Sequence, residues 1–151
     1  MHKPLLEVNN LQVAFTSDEY VVNRIDFAIY PGETFALVGE SGSGKSMAAL
    51  AVLRLLPGNA TLRADAISLN GINLLNIPEL ELCKVRGRRI AMIFQDPMTS
   101  LNPVLSIGEQ VAEVIKIHFK PSKAELYRRT LELLQQVELP DPERRYNEYP
   151  H

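Results

Sequence analysis

Residues 35–46 of the 151-residue chain read FALVGESGSGKS and carry the strongest structural signal in the sequence. Its last eight residues fit the pattern G-x-x-x-x-G-K-[S/T], in which glycines let backbone N–H groups approach phosphate oxygens closely. The four apolar residues before the pattern are typical of a strand, and residues 45–56 have helical character. Unpaired N–H groups at a helix N-terminus attract anions. The stretch therefore predicts a strand, a phosphate-binding loop and a helix in succession.

The loop also predicts which residues would hold a triphosphate. Lys45 supplies a positive charge for the β- and γ-phosphates, and the Ser46 hydroxyl is a ligand for Mg²⁺. The residues expected to contact the nucleotide here are Gly39, Glu40, Ser41, Gly42, Ser43, Gly44, Lys45, Ser46 and Met47. The alternative is a Gly/Ser turn that fits the pattern by chance, which four fixed positions make rare.

The composition is that of one globular domain, with 46% hydrophobic and 23% charged residues. A net charge of −2 gives no sign of a general nucleic-acid binder. The single cysteine, Cys83, excludes an internal disulfide and agrees with a reducing compartment. No stretch approaches the ~20 apolar residues that cross a bilayer, and the N-terminus turns polar too early for a secretory signal. We therefore expect a cytoplasmic chain without direct membrane insertion.

Hydrophobic periodicity predicts mixed α/β structure in the first part of the chain. Residues 5–15 and 25–29 alternate like two half-buried antiparallel strands. Residues 34–38 and 90–94 are continuously apolar, as in strands buried on both faces. Asn-Gly at positions 70 and 71 predicts a hairpin with a type I′ turn, and Pro78 opens a helical stretch.

The last third of the chain is predicted to be helical. Apolar residues recur at helical spacing after residue 106, and Ser122 to Glu125 form a capping-box pattern for a further helix that Pro140 and Pro142 would end. The positions expected to form the two apolar stripes are Ile107, Val111, Val114, Ile115 and His118, then Leu126, Leu133, Leu134 and Val137.

Three motifs together resemble the N-terminal half of an ABC transporter ATPase domain. They are GESGSGKS at 39–46, IAMIFQDP at 90–97 and SLNP at 100–103. The last two are similar to the ATP-binding subunits of bacterial peptide importers (the oligopeptide, dipeptide and nickel group). The resemblance implies an α/β P-loop NTPase core with an antiparallel β layer and the start of a helical subdomain. It also divides the chain in two. Residues 1–96 would form a partial core that contains the Walker A loop (39–46) and the strand leading into the Q-loop (from residue 90), and residues 97–151 would form the Q-loop and the start of the helical subdomain.

Further site residues follow from this resemblance alone. Gln95 would reach Mg²⁺ and the attacking water, and would join Lys45 in catalysis. Residues 96–103 would report the nucleotide state to a transmembrane partner. Phe15 falls where the family places an aromatic ring that stacks on adenine, which needs only a flat π face. An ordinary inward-facing strand residue is the alternative for Phe15, and Tyr20 is the rival aromatic.

Several family motifs are missing from the 151 residues. The signature loop, the Walker B aspartate with its catalytic glutamate, and the switch histidine are absent, so we expect a chain truncated just before the signature loop. Asp96 does not qualify as the Walker B residue because Pro97 stands where a second carboxylate is expected, and His151 precedes the signature position. A chain ending there is expected to bind ATP–Mg²⁺ weakly, to hydrolyse it negligibly, and to have open, apolar strand edges.

The resemblance implies the ATP-binding subunit of a bacterial importer that couples ATP binding and hydrolysis to transport of peptides or similar small solutes. Its partners would be transmembrane permease subunits and a second ATP-binding subunit, identical or paralogous, with no nucleic acid. It would lie at the cytoplasmic face of the inner membrane. The alternatives are a truncated, non-catalytic nucleotide-binding fragment and a soluble P-loop ATPase or kinase unconnected with transport.

Overall fold

The computed structural model describes residues 3–16, 19–95 and 100–151. The chain divides into two compact units, Met1–Leu82 and Cys83–His151. The boundary predicted between residues 96 and 97 falls outside the described residues and stays a prediction.

The first unit is built on an antiparallel sheet with β1 at its centre. Described in chain order, its strands are β1 (Leu6–Ala14), β2 (Tyr20–Ile29), β3 (Thr61–Arg63), β4 (Ala66–Leu69) and β5 (Ile72–Asn73). β1 pairs with β2 along one edge, and on the other edge with β4 near its start and β3 near its end. This sheet confirms the predicted antiparallel layer.

One face of the sheet forms the core of this unit. Val8, Leu11, Val13 and Ile67 are fully buried, and Ala51 of helix α1 (Lys45–Val52) is buried as well. Leu11 and Val13 share a face because alternate residues of a strand point the same way. Val8 is three residues before Leu11, and the register shift between them, where Asn10 has a φ of 53°, allows both to be buried.

The predicted hairpin is confirmed between β4 and β5. Asn70 and Gly71 have φ values of 51° and 80°, both positive as a type I′ turn requires. Leu69 pairs with Ile72 directly across this turn.

Helix α1 ends earlier than predicted, at Val52 rather than near residue 56. Arg54 adopts a left-handed φ of 53°. Its N–H donates to the Ala51 carbonyl at 3.0 Å, and the Leu55 N–H donates to the Leu50 carbonyl at 2.9 Å, which is the hydrogen-bond pattern of a Schellman stop. Helix α2 (Glu79–Val85) follows Pro78 as expected.

The two strands predicted at 34–38 and 90–94 are not formed, which corrects the expectation of a Q-loop strand and of buried β structure there. Within the described ranges neither segment has a neighbouring strand, apart from one isolated bridge between Arg86 and Ile90. A strand exists only through its ladder of hydrogen bonds to a neighbour. The apolar residues are consequently exposed, Val38 to 89% and Ile93 to 98%.

The second unit is a cluster of three helices: α3 (Ile107–Phe119), α4 (Lys123–Gln136) and α5 (Pro142–Tyr146). Ala112, Ile115 and Leu126 form its buried centre. Gly108 leaves room for the Tyr146 ring, since a Cβ there would lie 2.6 Å from Tyr146 Cε2 and closer to two other ring atoms. A side chain at position 108 would therefore separate α3 from α5.

The apolar stripes of α3 and α4 differ from the prediction. Val114, Leu133 and Val137 are exposed, although periodicity placed them in the stripes. On α4 the buried line is Leu126, Thr130 and Leu134, spaced four residues apart. Thr130 is tolerated there because its hydroxyl donates to the Leu126 carbonyl at 2.8 Å.

The helix caps also depart from the pattern. The full capping box is at Ser106 and Glu109, which the sequence analysis did not single out. At the predicted box, Ser122 Oγ accepts from the Glu125 N–H at 3.3 Å, but the Glu125 carboxylate binds Arg128 and Arg129 instead of reaching back. Hydrogen bonds from Arg128 and then Arg129 hold the pKa of Glu125 below its usual value.

Candidate nucleotide-binding site

The loop at 39–46 lies against the beginning of β2, and Gly44 makes this contact possible. Gly44 is the N-cap of α1, with φ 88° and ψ 3°, and it is buried. A Cβ on it would overlap the Val21 carbonyl oxygen and lie 3.1 Å from both the Val21 carbonyl carbon and Val22 Cγ2. Only glycine combines this left-handed φ with so close an approach to a backbone.

The other two glycines of the loop serve different purposes. A Cβ on Gly39 would lie 2.6 Å from Ser43 Oγ. Glycine at position 39 therefore allows Ser43 to approach the start of the loop closely. Gly42 has φ 80° with nothing within 4 Å of its absent Cβ, so it is needed for its backbone conformation alone. The turn is closed by the Ser43 N–H, which donates to the Glu40 carbonyl at 3.2 Å.

Lys45 places its ammonium inside the loop. Its Nζ donates to the Gly39 carbonyl at 2.7 Å, to the Glu40 carbonyl at 2.6 Å and to Ser43 Oγ at 3.3 Å. The positive charge is thus held over the loop by two backbone oxygens and a hydroxyl, and by no carboxylate of the described residues. An incoming phosphate oxygen, being charged, is a stronger acceptor for this ammonium than a neutral carbonyl.

The start of α1 adds further donors. The first N–H groups of a helix have no partners within it, and the helix ladder here begins with the Ala48 N–H donating to the Gly44 carbonyl at 2.8 Å. No acidic residue occupies the first turn of α1, so no carboxylate opposes an anion there. Ser46 is exposed and Met47 half-buried at this end.

Phe15 lies just beyond the end of β1, at a cavity of about 260 Å³. It is 36% exposed, so the alternative of an inward-facing strand residue does not describe it. The rival aromatic, Tyr20, lines the same cavity and opens β2. The other described lining residues are Gln12, Ala14, Thr16, Thr61 and Arg63.

The cavity and the loop adjoin the same stretch of β2. Tyr20 lines the cavity, and the next residue, Val21, presents the carbonyl against which Gly44 is packed. None of residues 39–47 lines this cavity, so the structure does not bring Phe15 and the loop into one pocket.

Gln95 lies in the second unit, in an exposed bend that follows residues 91–94, which belong to no helix or strand. Residues 96–99, which belong to the segment expected to report nucleotide state, fall outside the described residues. Across the described ranges, no group of three or more His, Cys, Asp or Glu residues is placed to hold a metal ion.

Sequence reasoning did not find Gln12, Thr61 or Arg63. The polar-apolar-polar order of residues 61–63 is typical of a half-buried strand. However, the sequence gives no indication that this strand pairs with the end of β1.

A glycine loop that enters a helix N-terminus and carries a lysine over its own backbone is characteristic of P-loop nucleotide-binding proteins. The sequence profile of the family described as "ABC transporter" matches residues 22–151. The chain belongs to this family, and its fold is that of a partial P-loop ABC ATPase domain.

Two similar proteins carry peptide-transport names. The chain is 47% identical over 151 residues to the "probable peptide ABC transporter ATP-binding protein" of Sinorhizobium fredii, covering 97% of this chain and 45% of the relative. It is 46% identical over 150 residues to the "oligopeptide transport ATP-binding protein" of Salmonella typhimurium, covering 97% of this chain and 44% of that protein. The chain thus spans less than half the length of these relatives.

A solved structure shows the same fold. The "ATP binding subunit of ABC transporter" superposes with a TM-score of 0.65 at 29% identity, covering 97% of this chain and 54% of the other. Among the described helices, none is both long and apolar enough to cross a membrane.

Proposed function

We propose that the chain is the N-terminal part of the ATP-binding subunit of a bacterial ABC importer for peptides or similar small solutes. The observation that carries this proposal is the loop at 39–46, in which Lys45 Nζ is held over the loop by two backbone carbonyls beside an acid-free helix N-terminus. The names of the relatives at 46–47% identity support peptides as the solute class.

In this proposal the loop residues 39–44 wrap the phosphates with their backbone N–H groups, together with those of the first turn of α1. Lys45 exchanges its carbonyl partners for the β- and γ-phosphates. Phe15 stacks on the adenine ring, and Met47 lies beside the phosphates at the half-buried start of α1.

The residues present also fit Mg²⁺. This ion is commonly bound through one or two protein ligands together with substrate phosphates, so it needs no carboxylate cluster. Ser46 would supply a hydroxyl ligand and Gln95 an amide oxygen. The bound ion would neutralise the phosphate charge that develops during hydrolysis.

Gln95 would further orient the attacking water and, with the segment 96–103, transmit nucleotide state to the membrane subunits. Partners in this proposal are transmembrane permease subunits and a second ATP-binding subunit. The chain would work at the cytoplasmic face of the bacterial inner membrane.

The direct test is nucleotide labelling of the protein purified with its native partners. Radiolabelled 8-azido-ATP with Mg²⁺ should label the band of this chain on illumination, and Lys45→Ala should reduce labelling at least tenfold because the phosphate charge loses its partner. Lys123→Ala is the matched control, since Lys123 is an exposed lysine of the second unit. Equal labelling of both variants would refute the proposed site.

Two further measurements test transport. Cells in which this protein carries Lys45→Ala should lose uptake of a radiolabelled oligopeptide, while Lys123→Ala cells retain it. Co-purification with membrane subunits supports the importer, and an ATPase recovered only without them identifies a soluble enzyme instead. The intact mass of the native polypeptide tests the fragment alternative, because a value near 16.9 kDa limits the role to nucleotide binding.

A further inference from the structure

Gln110, near the start of α3, is bound to the backbone of the segment that precedes this helix. Its side-chain Oε1 accepts from the Asn102 N–H at 2.7 Å, and its Nε2 donates to the Asn102 carbonyl at 3.0 Å. One amide thereby pairs with both backbone groups of one residue. A glutamine can do this because its side chain carries an acceptor oxygen beside its N–H donors.

The same side chain reaches the other end of the turn that begins at Asn102. Gln110 Nε2 donates to the Leu105 carbonyl at 3.1 Å, and more weakly to the Ser106 carbonyl at 3.4 Å. The turn itself is closed by the Leu105 N–H, which donates to the Asn102 carbonyl at 3.3 Å. Gln110 therefore fastens the turn to α3 at both of its ends.

Burial contributes little to fixing this turn. Leu101, Val104 and Leu105 are all exposed, Val104 to 73%. Their side chains remove little apolar surface from water, so they add little hydrophobic stabilisation. The conformation of the segment consequently depends on its hydrogen bonds.

The remaining hydrogen bonds of the segment are local. Asn102 Oδ1 accepts from the Val104 N–H at 3.1 Å, which shapes the turn without reaching the helix. The capping box joins Ser106 to Glu109 at the helix start itself. Among the described residues, the hydrogen bonds between Asn102 and α3 are therefore those of Gln110.

Asn102 belongs to the segment 96–103, which transmits nucleotide state in the proposed function. A turn that is hydrogen-bonded to a helix at both of its ends moves with that helix as one body. A turn connected to the helix only through the chain at residue 106 can change its own dihedral angles while the helix stays in place. The contacts of Gln110 decide which of these two cases applies.

We propose that Gln110 is a positioning residue that joins residues 102–106 and α3 into one rigid body, so that a nucleotide-dependent movement of 96–103 is passed to α3. Gln110 acts through Asn102 and not on the nucleotide. This inference rests on the proposed function, because it requires a nucleotide whose binding moves the segment 96–103.

The test is hydrogen exchange of the protein purified with its native partners, measured by mass spectrometry with and without AMP-PNP and Mg²⁺. Peptides from residues 100–106 and from α3 are compared. In the unmodified protein, the nucleotide should change the exchange rates of both peptides. Because each comparison is made within one protein, a uniform loss of stability does not imitate a loss of the α3 response.

Gln110→Ala should uncouple the two peptides. The nucleotide should still change exchange at 100–106, whereas the change in α3 should fall about fivefold, the factor expected when a hydrogen bond is lost. Labelling by 8-azido-ATP should be unaffected, because the loop at 39–46 is not altered. Glu113→Ala, at an exposed residue of the same helix, is the matched control and should keep both responses.

Gln110→Glu gives an independent variant, since alanine and glutamate are both good helix formers and α3 should be retained. Its ionised carboxylate can still accept from the Asn102 N–H, but it cannot donate to the Asn102 and Leu105 carbonyls. The α3 response to nucleotide should therefore fall in this variant as well.

The outcomes separate this inference from the proposed function. If Lys45→Ala abolishes labelling but both Gln110 variants keep the full α3 response, the positioning role is refuted and the nucleotide site stands. The same conclusion follows if nucleotide labels the unmodified protein without changing exchange in α3. If the unmodified protein is not labelled at all, both proposals are refuted together.

Discussion

Replacing Gly44 by alanine should destabilise the first unit far more than the same change at its neighbour Gly42. At Gly44 two costs add. A left-handed φ costs an L-residue about 1–2 kcal/mol, and a Cβ that overlaps the Val21 carbonyl forces a backbone shift worth about 1–3 kcal/mol. The sum, about 2–5 kcal/mol, is a large part of the stability of an ordinary domain.

Gly42 provides the matched control for this prediction. It shares the positive φ, at 80°, but has open space where the Cβ would go, so Gly42→Ala should cost about 1 kcal/mol from conformation alone. Gly32, with φ 77° and equally open surroundings, gives the same control outside the loop.

The free energy of unfolding of each variant is measured by urea titration without nucleotide, followed by circular dichroism. Gly44→Ala should lower the midpoint well below that of both control variants at an unchanged slope. If the unfolding free energies of all three variants agree within about 0.5 kcal/mol, the contact with Val21 is not the reason that position 44 requires glycine, and the prediction is refuted.

Two further predictions concern the second unit. Gly108→Ala should destabilise this unit by about 1–3 kcal/mol, because the new methyl group displaces the Tyr146 ring. Near-ultraviolet circular dichroism and urea unfolding measure this effect. The control is Gly58→Ala, at an open position, which should change stability by no more than about 0.5 kcal/mol. Glu125→Gln should lower the free energy of unfolding at pH 7, because hydrogen bonds from Arg128 hold the pKa of this carboxyl below 4.5 and its ionised form therefore stabilises the fold. The difference in unfolding free energy between the variant and the unmodified protein should vanish as the pH falls through that lowered pKa. A difference that persists at pH 2 would contradict this assignment.

The prominent signals of the sequence were local ones. The type I′ turn at Asn70 and Gly71 and the start of α1 at Lys45 follow from backbone preferences of a few consecutive residues. Such preferences act wherever the segment lies, so the printed residues suffice to predict them. The same holds for the full capping box at Ser106 and Glu109, whose Ser-x-x-Glu signal was present and overlooked.

Periodicity was less decisive where it concerned burial. Val114 and Val137 fit a helical apolar stripe, yet they are exposed, and the polar Thr130 is buried in their place. Which face of a helix is buried depends on where the neighbouring helices pack. Here Gly108, which has no side chain, lets the Tyr146 ring pack against α3.

Residue type and short spacing suffice to predict the phosphate-binding loop, the antiparallel strands and the order of the helices. That segments 34–38 and 90–94 form no strand with a described neighbour is visible only in the folded chain, since a strand requires a partner that sequence periodicity does not supply. Only the tertiary structure decided that Arg63 stands beside Gln12 at the cavity of Phe15. That pairing joins residues distant along the chain, and strand register, a property of the folded sheet, brings them together.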